Sequence, residues 1–355
     1  MNERKCWCLI AGLGLVFLAT GVAGADDFGN YTFAGSFALP AAGVYDVFPD
    51  GRLVTLDGAD VYTETAVGSR SFTLLGTLPD ADMPDPAWSG PAFVSVSPDG
   101  GCIAVGNNGG FNWNNYQVGV FSISDLDGDW FAADHYEAEW VDDANLALTA
   151  GTSSSTGVTI LDTTTDPTNP VNTTVITNIG GASAGLAFDT NGNLFTGNGF
   201  QFGGPSDTGW IRAFPSTAWQ AALAGGPTID FETDGTLIAD LLAAGTLGFD
   251  TEGNLHVGGG DLYGGSGDYN YAGLVCSTAL ADALGGGGAV NPLDPSQVRR
   301  FDPDPGASSV YDVNCNTVTG ELYLRLGGTV YAYAVPEPGS LALLILGTLV
   351  CSIRR

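Results

Sequence analysis

Short apolar stretches alternate with polar positions at a period of two through most of residues 44–324, which predicts strands rather than helices. One unit recurs. It is an apolar strand, a turn of Asp, Pro, Asn and Gly residues, then a second strand that runs into glycines. Its clear copies span 44–56, 93–105, 184–196 and 247–257, and the last two match each other closely. Weaker copies span 139–148 and 310–324. Each reads as a hairpin whose turn glycine (Gly51, Gly100, Gly192 or Gly253) supplies a positive φ at little steric cost. A glycine-rich loop and a third strand follow, as at 117–123, 209–214 and 271–276.

The turn glycines set the period. Gly51 and Gly100 are 49 residues apart, Gly192 and Gly253 61, and Gly253 and Gly320 67. Three or four strands per period of this length resemble the blades of β-propeller repeat proteins. The prediction is an all-β, propeller-like chain with about six blades, five or seven being alternatives and a β-sandwich or solenoid the competing architectures. Two segments, 216–223 and 277–284, both begin Ser-Thr-Ala and predict the same short helix inserted twice between blades.

Composition agrees with many tight turns, since 53 of 355 residues are Gly and only 2 are Met. Ten basic residues stand against 39 acidic ones. The only lysine is Lys5, so between the two ends six arginines face 37 carboxylates. Such a surface repels phosphate backbones and anionic lipids, which excludes nucleic acid as a partner and limits membrane contact to the termini. Cys102, Cys276 and Cys315 are far apart and form no CxxC pair. A cysteine zinc site is unsupported, and an exported chain could form one disulfide among the three and leave one thiol over, the pairing open.

The ends read as transport addresses. Residues 1–25 give a basic start, an apolar run and small residues Ala23 and Ala25 at −3 and −1, the pattern of a secretory signal helix cleaved after Ala25. A folded domain is then expected over 26–334. The tail, 335–355, carries Pro336, Glu337 and Pro338, an apolar helix of 13 residues over 341–353, and Arg354 and Arg355. At 1.5 Å per residue that helix is about 20 Å long, short for a permanent anchor. This order resembles the PEP-CTERM sorting signal. The resemblance implies an exosortase as partner, removal of the helix with Arg354 and Arg355, and a transient stay in the inner membrane. It further implies delivery to the cell surface or extracellular matrix of an exopolysaccharide-making bacterium.

Candidate chemistry in the middle is sparse. Asp125, Asp127 and Asp129 resemble the opening of a calcium loop, but the closing Glu of the twelve-residue pattern is replaced by Tyr136. Gly181-Ala-Ser183-Ala-Gly185 has the spacing of a nucleophile elbow but lies in a strand pattern rather than a strand–turn–helix, and only His135 and His256 exist to serve it. His256 alternates with Leu255 and Val257, at the position of Phe195 in the sister copy. Aromatic residues among Asn and Gly at 106–116, 199–204 and 258–271 suit contact with extracellular polysaccharide. The leading expectation is a non-catalytic surface display or binding module. Its alternative is a secreted propeller enzyme, a lyase or lactonase-like hydrolase, that uses carboxylates and calcium gathered at a channel mouth.

Overall fold

The computed structural model describes residues 31–40, 43–79, 91–107, 117–149, 157–164, 170–179, 182–200, 210–241, 245–259, 272–301 and 312–335. The strands fall into six sheets, five of four strands and one of five. The innermost strands are Tyr45–Val47, Pro91–Val96, Glu137–Asp142, Ala182–Phe188, Leu247–Phe249 and Asp312–Asn316 in blades 1 to 6. Each contacts the next and the sixth returns to the first, closing a ring around a central channel. The chain is a six-bladed β-propeller.

Both weaker copies form complete blades. Blade 3 lacks a turn glycine, and Asp142 substitutes by accepting hydrogen bonds from Ala144 N and Asn145 N at 2.8 and 2.9 Å. In blades 4 and 5 the turn glycines Gly192 and Gly253 sit at φ +73° and +76°, where a β-carbon is disfavoured.

The two helices correct one expectation. They lie within blades, not between them. Ser216–Leu223 separates the third strand of blade 4 from its fourth, Thr236–Asp240, and Ser277–Asp282 does the same before Val298–Phe301 in blade 5. Each insertion then covers the outer edge of the preceding blade. Ile229–Asp230 adds a fifth, parallel strand to blade 3, and Val290 N bonds Ile238 O of blade 4 at 2.8 Å. Covered edges cannot pair with other chains.

The core is divided by seams. Six clusters of buried apolar residues occupy the six blade-to-blade interfaces, one each. A sheet whose two faces both meet neighbours must be apolar on both, and this explains runs such as Ile103–Ala104–Val105, all fully buried.

The ring closes with the start of the chain. Thr32–Ala38 pairs antiparallel with Thr329–Ala334 as the outermost strand of blade 6. Beside it, Arg70 of blade 1 forks onto Glu321 of blade 6 at 2.8 and 2.7 Å, reaches the Tyr323 hydroxyl at 2.9 Å, and stacks over Phe37 and Tyr323. Asn316 of blade 6 donates to Gly51 O of blade 1 at 2.8 Å.

Among the described residues no helix is long and apolar enough to cross a membrane. The signal residues Ala23 and Ala25, the sorting residues Pro336, Glu337, Pro338, Arg354 and Arg355, and both terminal helices lie outside the described residues, as do most of the Asn- and aromatic-rich loops.

Candidate functional site in the central channel

Aligned on the hairpin turns, the first-strand position five residues before the turn glycine is Asp46, Ser95, Ala187 and Gly248 in blades 1, 2, 4 and 5. Its equivalents in blades 3 and 6 are Glu139 and Asn314. One side of the ring is therefore acidic and polar, and the opposite side is small. Two residues earlier, blades 3 and 6 add Glu137 and Asp312.

Asp46 ties three blades together. Its Oδ1 accepts from Val47 N at 2.7 Å and from Asn314 Nδ2 of blade 6, and its Oδ2 accepts from Val96 N of blade 2 at 2.7 Å. Burial pushes its carboxyl up to about 6, although the three hydrogen bonds pull the other way. Glu139 is open to the water of the channel yet ringed by protein. Burial, then the charge of Asp46, pushes it up to about 8. Glu137 is raised further by burial, then by Asp312, Glu139 and Asp46, with Arg325 opposing. Arg325 is committed to Asp312 through an Nε–Oδ2 contact of 2.9 Å. Glu137 and Glu139 are thus both pushed toward the protonated form, and Glu139 is pushed further than Asp46.

Asp46, Glu139 and Asn314 line a cavity of about 930 Å³ that opens on the face carrying the hairpin turns. Phe48, Trp140, Phe188 and Phe249 give it an aromatic wall, and Leu280 and Leu284, from the blade 5 insertion, overhang it. Trp140 is fixed by donating Nε1–H to Ser95 O at 3.1 Å.

The residues singled out in the sequence stand elsewhere. Asp125, Asp127 and Asp129 lie in and after the exposed turn between the third and fourth strands of blade 2, where Asp125 Oδ1 accepts from Asp127 N at 3.2 Å. Among the described residues no three His, Cys, Asp or Glu side chains are grouped to hold a metal ion. Ser183 lies in the innermost strand of blade 4, the wrong setting for a nucleophile elbow. His135 is buried against Phe93, its Nδ1 3.0 Å from Ala133 O, and burial pushes it down to about 4. His256 lies buried in the second strand of blade 5, edge-on to Tyr31 and outside the cavity lining, with Nε2 3.0 Å from Asp250 Oδ2. Cys102, Cys276 and Cys315 are free thiols, half-buried. Asp46 and Glu139 were missed because each stands inside a repeat strand. The signal that finds them is a carboxylate where sister copies carry Ala or Gly.

The sequence matches no protein-family model and no curated protein sequence. Its structure is similar to that of a gluconolactonase from Xanthomonas campestris, at 14% identity and TM-score 0.53, covering 88% of this chain and 97% of that one. A candidate gluconolactonase is 11% identical with TM-score 0.51 over 86% and 94% of the two chains. A chain of the mitotic checkpoint complex is 12% identical with TM-score 0.51 over 94% and 97%. The likeness is one of fold alone.

Proposed function

We propose that this chain is an exported propeller hydrolase that opens sugar-derived lactones by carboxyl acid–base chemistry on the channel floor. One observation carries the reading. Glu139, proton-bearing at neutral pH and open to the cavity, faces the field of ionised Asp46, and paired carboxyls driven apart in proton affinity divide the roles of acid and base. Asp46 Oδ2 accepts a single hydrogen bond, which leaves it acceptor capacity for a water proton. Water adds to the ester carbonyl while its proton passes to Asp46. Glu139 delivers its proton to the ring oxygen as the acyl C–O bond breaks, and the product is a hydroxy acid. Phe188 and Phe249, the half-exposed aromatic residues of the cavity wall, offer apolar contact to a sugar ring. A gluconolactonase with the same fold supports the choice of substrate.

The test is lactone hydrolysis by the mature protein across pH. The expected profile is a bell bounded near the two proton affinities, about 6 and about 8. Glu139→Gln lowers kcat/KM about 100-fold or more without loss of thermal stability. A panel of lactones bound but never turned over would instead support a non-catalytic display module, the reading that the aromatic wall also favours.

The address of this activity is proposed from the termini: cleavage after Ala25, then exosortase recognition of Pro336, Glu337 and Pro338 with removal of Arg354 and Arg355. Mass spectrometry of surface-extracted protein checks it. A chain still carrying both ends would refute the sorting.

A further inference from the structure

Among the described residues the cavity wall carries five acidic residues, Asp46, Glu139, Asp189, Asp250 and Glu252, and no lysine, arginine or histidine. Two guanidiniums stand behind it, and both are paired: Arg325 with Asp312 at 2.9 Å, and Arg52, stacked on the wall residue Phe48, with Asp50 at 2.8 Å. Asp189 and Asp250 close their hairpin turns, each accepting two backbone N–H bonds on Oδ1 at 2.8 to 2.9 Å. Glu252 is exposed at the mouth. A ligand entering the channel meets negative potential at the rim and at the floor, with apolar aromatic faces between. Low-dielectric walls focus that potential rather than spreading it.

Resting on the lactonase reading, we infer that this site selects by charge. It admits neutral lactones, rejects those that already bear a carboxylate, and expels the carboxylate that its own reaction creates. Hydrolysis turns a neutral ring into an anion inside a wall with no cation to hold it. Product release then follows from the chemistry and needs no conformational opening.

The decisive pair of substrates is one aldonolactone in two forms, its C6 oxidised to a carboxylate or converted to the carboxamide of nearly the same size. At low salt the amide is expected to be hydrolysed about 30-fold more efficiently, and the gap to shrink to a few-fold near 1 M salt as the field is screened. Glu252→Lys, which changes the rim and leaves the floor intact, raises the rate on the carboxylate about 3-fold or more and leaves the amide rate within twofold. The hydroxy-acid product inhibits weakly, with an inhibition constant at least 10-fold above the KM of the amide. Equal rates for the two forms, or a gap indifferent to salt, would overturn the inference and leave the lactonase reading standing. Hydrolysis of neither form removes both.

Discussion

Blades 4 and 5 are built from the same unit and end in different chemistry. In each, an aspartate (Asp189 or Asp250) closes the hairpin turn, and an asparagine four residues on (Asn193 or Asn254) donates back to it at 2.8 Å. In each, the same asparagine accepts from the backbone N–H that opens the inserted helix, Ser216 or Ser277, 23 residues later. Here they part. Blade 4 places Phe195 on its second strand, packed edge-on against Phe249 with ring centroids 5.1 Å apart. Blade 5 places His256 there, buried against Asp250 at 3.0 Å. Tyr31, at the start of the ring-closing strand, donates its hydroxyl to the same carboxylate at 2.9 Å. Asp250 thus accepts five hydrogen bonds where Asp189 accepts three. The turn is complete without His256, as blade 4 shows. The extra polar contacts in blade 5 serve the junction with the first strand instead.

Substitutions in the two blades break this comparison to different degrees. The largest loss is expected from Trp219→Ala, which empties the buried anchor of the blade 4 helix and the bond from its Nε1 to Gly192 O at 2.9 Å. Denaturant unfolding should register about 3–5 kcal/mol. Phe195→His gives blade 4 the blade 5 residue without Tyr31 to complete it, and about 2–3 kcal/mol is expected to be lost in the same measurement. The reverse exchange, His256→Phe, is milder at about 1–2 kcal/mol, since Asp250 keeps four bonds and a phenyl ring is native to the site in blade 4. Its pH dependence identifies the cause. Burial raises the proton affinity of Asp250, but hydrogen bonds from His256 and Asn254 and the charge of His256 outweigh it and hold the carboxyl well below the usual range. A depressed carboxyl stabilises above its unfolded value near 4 and loses that contribution as pH falls through the folded value. The difference between His256→Phe and the parent should therefore fade below pH 4, and one that persists unchanged there would assign the loss to packing. Smallest are Asn193→Ala and Asn254→Ala, each about 1 kcal/mol by thermal unfolding. Equal values confirm that the two insertions are one device used twice.

The architecture was legible because its signals are local. Period-two alternation and a turn glycine are each written within about a dozen residues, so four blades announced themselves and the spacing supplied the rest. Blade 3 was faint because Asp142 closes its turn in place of a glycine. The helices were expected between blades because the fourth strands that follow them, Thr236–Asp240 and Val298–Phe301, are short and lie far from their partners in sequence. The parallel pair of Ile229–Asp230 with blade 3 has no local signature at all. The site was legible only in part. Asp46 and Glu139 stand in visible repeats, but their mutual influence exists only once blades 1, 3 and 6 are bent into a ring. The Asp125 turn, the most conspicuous acidic string, is an exposed corner whose carboxylate braces its own backbone.

The pairing of Thr32–Ala38 with Thr329–Ala334 has a consequence for how the molecule comes into being. A ribosome delivers the first of these strands long before the second, so the earlier one must stay unmatched until all the blades between them have been made. Completion of the circle is therefore a late, slow event governed by a contact of very long sequence separation. Any chain that stops before Thr329 is left with an open seam and an exposed strand edge, which is the kind of defect that quality-control proteases recognise.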